Sequence, residues 1–305
     1  MKNGTVWRDD AENPIQAHGG CIVQHAGVWY WYGENKGAEN LPGKSQVPFL
    51  GISCYSSPNL CDWHFEGNVL CAVELEGSTH PLHPSKVCER PKVIYHSGHQ
   101  KFVMWMHLDE EDYSFARAGV AISESPTGPF HLLAARHVNR TDCRDMTLYQ
   151  DREGVAYLVH SGDWNKTLYI AELNDEYTDV TGRYTKIMID QEREAPAAFF
   201  HNGSYYMITS GCTGWNPNSA LYSTSTRFFN GPEWKLIDNP CSGQGYRQTF
   251  GGQSAYVFEA KGQLYLLLDH WKRDNLQSSG YSILPILFSG DMMDIPWTEH
   301  FHGIV

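Results

Sequence analysis

Two short motifs carry the chemistry most open to reading. Arg193-Glu194-Ala195-Pro196 precedes the apolar run Ala197-Ala198-Phe199-Phe200, and Cys88-Glu89-Arg90-Pro91 precedes Lys92-Val93-Ile94-Tyr95. Each places a carboxylate at the head of a buried strand, two residues before a proline. Carboxylates facing one another across a narrow cleft are what glycosidic bond cleavage needs: one protonated to serve the leaving oxygen, one to serve water or act as nucleophile. Crowding and burial push the pKa of one member of such a pair upward. The plainer alternative is that Glu89 and Glu194 simply pair with the adjacent Arg90 and Arg193. Matching positions in two units, and Asp145 in a third, favour a shared site.

Those acids need a scaffold that brings distant segments to one place, and the chain reads as repeats. The first unit begins at Gln16-Ala17-His18-Gly19-Gly20, with strands at Cys21-Ile22-Val23-Gln24, Val28-Trp29-Tyr30-Trp31-Tyr32 and Gly51-Ile52-Ser53-Cys54-Tyr55-Ser56, closed by Asp62-Trp63-His64-Phe65. A second runs from Glu89 to Gly128-Pro129-Phe130-His131, and a third from Arg144-Asp145-Met146-Thr147-Leu148 through Thr167-Leu168-Tyr169-Ile170. A fourth runs from Arg193 to Glu233-Trp234-Lys235-Leu236, and a fifth from Gly251-Gly252-Gln253-Ser254 to Pro296-Trp297-Thr298-Glu299. First strands start near 18, 88, 144, 193 and 252, each followed by a Gly turn and an aromatic strand. Five units of about four short strands predict an all-β, five-bladed β-propeller, with residues 1–305 as a single catalytic domain. Helical periodicity is nearly absent; residues 174–182 suit a single turn. Trp63, Phe130, Trp234 and Trp297 are expected in blade packing.

First strands line a propeller's central channel, so their starts converge on one mouth. The five starts supply His18, Glu89, Asp145, Glu194 and Gln253. His18 is either a site residue holding substrate, water or an ion, or a satisfied buried histidine.

Bulk properties exclude several other classes. With 305 residues, 41% hydrophobic and 13% aromatic, the chain is long enough for a large core and is not disordered. A formal net charge of −12 argues against nucleic acid or an anionic membrane as partner. No apolar run reaches the ~18 residues of a membrane span. Eight cysteines include no C-x-x-C pair, so a zinc knuckle is not expected, while disulfides and buried thiols both stay open. No cofactor is expected. Asp109-Glu110-Glu111-Asp112 could take a structural calcium, although an acidic loop is more often solvated. The N-terminus has no apolar signal segment, whereas sequons at Asn3, Asn139, Asn165 and Asn202 suit a secreted protein. The expectation is an extracellular monomer whose signal is absent from this sequence, with a cytosolic location as the alternative.

Over nearly its whole length the sequence resembles glycoside hydrolase family 43. The features that carry this are Asp145 before an apolar strand with Asp151-Arg152-Glu153-Gly154, and Glu194-Ala195-Pro196. More narrowly, Ile15-Gln16-Ala17-His18-Gly19-Gly20, Trp29-Tyr30-Trp31-Tyr32-Gly33-Glu34, Glu89-Arg90-Pro91-Lys92-Val93, Thr209-Ser210-Gly211-Cys212-Thr213-Gly214-Trp215 and Phe250-Gly251-Gly252-Gln253-Ser254 are similar to its exo-β-1,3-galactanase branch. The resemblance implies an inverting enzyme with Glu194 as general acid and Asp145 tuning it. The family's usual blade-one Asp base is missing, as in that branch, and Gln253 is the implied holder of the water, as its imidic tautomer. An ordinary amide is a poor base, so Glu89 competes for the role.

Sugar recognition falls to aromatic and polar groups at blade tips. Trp215 is the best stacking candidate, with Thr213 beside it, and Tyr113 and Asn165 lie on equivalent loops. The expected activity is release of galactose from β-1,3-galactan or arabinogalactan backbones. The alternatives are an α-L-arabinofuranosidase or β-xylosidase, and a non-catalytic sugar-binding propeller.

Overall fold

Aromatic and branched runs bounded by Gly turns form strands throughout the computed structural model, which describes residues 1–74, 79–231 and 234–304. Glu233, expected in a fourth-blade strand, lies outside the described residues.

Among the described residues the strands assemble into five sheets, each an up-and-down meander in sequence order. Blade 1 holds β1 (His18–His25), β2 (Val28–Glu34), β3 (Gly51–Ser57) and β4 (His64–Cys71). Blade 2 holds β5 (Val87–His96), β6 (Lys101–Asp109), β7 (Arg117–Ser123) and β8 (His131–Arg136). Blade 3 holds β9 (Met146–Gln150), β10 (Ala156–Gly162), β11 (Thr167–Leu173) and β12 (Val180–Ile187). Blade 4 holds β13 (Arg193–His201), β14 (Ser204–Gly211), β15 (Leu221–Ser225) and β16 (Lys235–Leu236). In blade 5, β17 (Cys241–Ser242) pairs in parallel with the outer edge of a meander of β18 (Gln253–Ala260), β19 (Gln263–His270), β20 (Gly280–Ser289) and β21 (Met292–Pro296).

The first strands β1, β5, β9, β13 and β18 touch in that order, and β18 returns to β1, so the sheets close into a five-bladed β-propeller. A core cluster fills each of the five seams between blades. Inner strands therefore bury both faces and read as continuous apolar runs, with alternate side chains going to opposite seams. In β6, Phe102, Met104 and Met106 pack toward blade 1, while Val103 and Trp105 pack toward blade 3. In the seam between blades 5 and 1, Trp31 meets Trp63 and Tyr281 edge-on, at 5.3 and 4.7 Å between ring centroids. Trp63, Phe130 and Trp234 are buried immediately before the fourth strands of their blades, whereas Trp297 follows β21.

Residues 2–5 lie along blade 5 although they precede blade 1. Gly4 N–H donates to Tyr281 O at 2.8 Å, and Tyr281 N–H donates back to Thr5 O at 3.1 Å. The Asn3 side chain is buried there, accepting from Ile283 N–H at 3.0 Å and donating to Thr298 O at 2.9 Å. All eight cysteines are free thiols, and five of them are buried. No helix among the described residues is long and apolar enough to cross a membrane.

Candidate active site

Three first strands break register directly after the residue they bring to the channel mouth, β1 after His18, β5 after Glu89 and β13 after Glu194, while β18 breaks one residue later, after Ser254. The next residue is left-handed in each of the three, with φ of 60° at Gly19, 54° at Arg90 and 51° at Ala195. A bulge with extra twist re-aims the side chains around it, and Pro91 and Pro196 suit the interrupted ladder because they have no N–H to leave unpaired. At Gly19 space is also tight, since a Cβ there would lie 2.3 Å from Glu34 Oε1 and displace that carboxylate. Antiparallel register then sets a second-strand residue opposite each such residue: Glu34 opposite His18, His107 opposite Glu89, Ser210 opposite Glu194 and Asp269 opposite Gln253.

Glu89, Asp145, Glu194 and Gln253 come together in a cavity of about 410 Å³ at one mouth of the channel, with Tyr113, Asn165 and Trp215 on its walls. His18 and Thr213 are not part of that lining. His18 is fully buried, with Nδ1 3.2 Å from Asp269 Oδ1, Nε2 3.0 Å from the Tyr281 hydroxyl, and its ring stacked on Tyr281. It is the satisfied core histidine of the two readings. The exposed Thr213 hydroxyl donates to Asn216 O at 2.6 Å and accepts from Asn218 Nδ2 at 2.8 Å, shaping the loop that presents Trp215.

Neither glutamate pairs with its neighbouring arginine. Arg193 is occupied by the Thr209 hydroxyl and carbonyl, at 3.0 and 2.7 Å. Arg90 instead sits buried between blades. Its Nη2 reaches Gln253 Oε1 at 2.5 Å and Asp145 Oδ2 at 3.1 Å, and its backbone N–H donates to Glu34 Oε1 at 2.9 Å. Asp145 Oδ2 also accepts the Ala195 N–H at 3.0 Å, fixing the backbone beside Glu194.

The two glutamates are driven to opposite protonation states. Burial, then the charge of Asp145, pushes Glu194 up to about 8, so its carboxyl carries a proton at neutral pH. Burial would raise Glu89 as well, but His107 beside it, together with the charges of Lys36 and Arg90, outweighs burial and holds it at about 2. Burial works against the charged form of His107 too, yet Asp109, 2.7 Å from Nε2, and Glu89, 3.6 Å from Nδ1, lift it to about 9. The Tyr113 hydroxyl donates to Glu89 Oε1 at 3.1 Å.

Gln253 is saturated. Its Oε1 accepts from Arg90 and, at 3.0 Å, from Trp271 Nε1; its Nε2 donates to Glu194 Oε1 at 2.9 Å and Ser210 Oγ at 3.0 Å. Arginine and indole N–H groups can only donate, so the amide orientation is forced.

The acidic run at 109–112 is engaged with protein partners. Asp109 binds His107 and Arg144, Glu110 binds Lys86, and Glu111 binds Lys44. No group of acidic, His or Cys side chains among the described residues is arranged to hold a metal ion.

Sequence reasoning named no role for Glu34, His107, Arg144, Trp164 or Trp271, all of which line the cavity. Counting outward from each hairpin turn would have found Glu34 and His107, because the end of a second strand faces the start of the first. Arg144, Trp164 and Trp271 had no such signal.

A family model described as glycosyl hydrolases family 43 matches residues 41–284. Among solved structures, the GH43 beta-1,3-galactosidase BT3683 with galactodeoxynojirimycin is 37% identical, with a TM-score of 0.92 and 99% of each chain covered. The GH43 beta-1,3-galactosidase BT0265 is 32% identical with a TM-score of 0.90, covering 98% of this chain and 62% of that one. The exo-beta-1,3-galactanase from Phanerochaete chrysosporium with galactose is 31% identical with a TM-score of 0.86, covering 97% and 66%. The chain thus spans less than two thirds of the last two proteins. No curated protein sequence matches. With the family model aligned over most of its length and a 37% identical relative covering nearly all of it, the chain belongs to glycosyl hydrolases family 43.

Proposed function

We propose that the protein is an exo-acting, inverting glycoside hydrolase that releases galactose from β-1,3-galactan. The observation that carries the chemistry is one cavity holding two glutamates of opposite protonation, Glu194 near 8 and Glu89 near 2. The sugar and linkage follow the relatives, which are named for β-1,3-galactosidase and exo-β-1,3-galactanase activity.

In this reading Glu194 gives its proton to the glycosidic oxygen as the bond to the leaving sugar breaks. Asp145 keeps that proton on Glu194 through its charge and fixes the adjoining backbone through the Ala195 N–H. Water attacks the anomeric carbon from the opposite face and gives up its proton. Glu89 is already ionised and so able to take it. Gln253 is a weaker candidate for that step in this arrangement. Its imidic tautomer would put a hydroxyl proton on Oε1, between two groups that only donate. Gln253 is better suited to hold Glu194 Oε1 and Arg90 in place. Trp215 and Trp271, edge-to-face at 5.5 Å, form an aromatic corner for the C–H face of a hexose.

The test is product analysis on β-1,3-galactan, with aryl arabinofuranosides and xylosides in parallel and proton NMR of the nascent anomer. Galactose released as the α-anomer is expected. Arabinose or xylose release without galactose would refute the specificity, and β-galactose would refute inversion. Full activity in Glu89→Gln would return the water to Gln253.

A further inference from the structure

We infer that Trp164 is the stacking platform for the leaving-group sugar, a specificity-determining residue on the outer side of the cavity. The inference rests on the hydrolase reading above.

Trp164 is 71% exposed and yet lines the cavity. An indole this open is unusual beside a site whose other aromatic groups are half-buried, and three features hold it there. Asp163, Trp164 and Asn165 are consecutive left-handed residues, with φ of 52°, 57° and 62°. Asp142 clamps that turn, Oδ1 accepting Asp163 N–H at 2.7 Å and Oδ2 accepting Trp164 N–H at 3.0 Å. Beneath the ring, the Arg144 guanidinium carbon lies 4.6 Å from its centroid. Arg144 is itself buried and fixed by Asp142 Oδ2 at 3.2 Å, Tyr113 O at 3.2 Å and Asp109 Oδ2 at 3.5 Å.

One face of the indole is thus occupied by a held cation and the other is left for a ligand. Galactose presents three C–H bonds on one side, the shape and polarity that stack on an open aromatic face.

The side of the bond follows from Glu194. Asn165 O lies 3.9 Å from Cys212 Sγ, and Cys212 directly follows the end of β14, where Ser210 and Gly211 pair with Glu194 and Arg193, so the Trp164 turn is on the proton donor's side. A proton donor sits beside the leaving oxygen, and the sugar attached to that oxygen projects outward from there. Exposure agrees: the sugar being released needs enclosure, whereas the remainder of the polymer needs an open floor. Asn165 Oδ1, buried without a hydrogen-bond partner, offers an acceptor next to that floor.

The experiment compares Trp164→Ala and Trp164→Phe with wild type on β-1,3-galactotriose and on β-galactosyl fluoride, which has no leaving-group sugar. Trp164→Ala is expected to lose about ten-fold in kcat/KM on the triose, mostly through KM, and less than two-fold on the fluoride. Trp164→Phe should recover most of the loss. Equal losses on both substrates, or no loss on the triose, would overturn the assignment. Fluoride turnover also reports that the variant has folded. A wild-type protein that cleaves neither substrate would instead overturn the hydrolase reading, and this inference with it.

Discussion

Replacing Glu194 by glutamine removes the proton donor while preserving shape and an oxygen that can still accept from Gln253 Nε2. Because burial and Asp145 set Glu194 at about 8, roughly nine tenths of the wild-type protein carries the proton at pH 7 and about one tenth at pH 9. Activity on a sugar leaving group should therefore hold at acid and neutral pH and fall as pH rises through about 8. General acid catalysis contributes roughly 10²–10⁴-fold, or about 3–5 kcal/mol of barrier. Glu194→Gln should lose that much on β-1,3-galactotriose. A dinitrophenyl β-galactoside, whose leaving group departs without protonation, should lose less than about ten-fold, and its pH profile should have no limb near 8. Initial rates on both substrates between pH 4 and 10 measure this. Equal losses on the two substrates, or an alkaline limb that survives in the variant, would refute the assignment of the proton to Glu194.

The neighbouring charges make further outcomes measurable. Arg90 opposes the upward shift of Glu194, so Arg90→Met should move the alkaline limb above 8; it also strips Asp145 of its cation, a loss of about 3–5 kcal/mol by urea unfolding. An unmoved limb would show that Arg90 does not act on Glu194. His107 is foremost among the groups holding Glu89 down, so His107→Gln should raise the acid limb of kcat/KM by roughly one to two pH units. A fixed acid limb would separate Glu89 from the rate. In folding terms Glu89's lowered pKa contributes stability above its ordinary 4.5, lost as pH falls toward 2. Glu194's raised pKa contributes below its ordinary 4.5, lost as pH rises through about 8.

The blades were legible because each is a local meander: both faces of its inner strands are buried, and Gly turns mark where they reverse. Outer strands left weaker traces. β12 is mostly exposed, so residues from Val180 onward carry only a broken apolar pattern. β8 begins at His131, where the sequence reading ended its blade. At the site, Glu-x-Pro marked the acids because the motif encodes the kink that aims them. Partner choice was hidden for the same reason. The left-handed backbone at Arg90 leaves Glu89 with His107 and Tyr113 of its own blade but sends Arg90 to Asp145 and Gln253, contacts that cross blades and have no local signature.

The stitching of residues 3–5 onto blade 5 makes turnover a census of the whole ring. Glu89, Asp145, Glu194 and Gln253 come from four successive blades, and Arg90 ties the second of the five to the fifth. A chain with blades 2 to 4 assembled would own both glutamates and still lack the amide that anchors Glu194. The Asn3 contacts span 280 positions, and closing so long a loop costs about 5 kcal/mol of chain entropy. That seam is the latch expected to form last and open first, so catalysis should vanish on gentle warming while most sheet structure still stands.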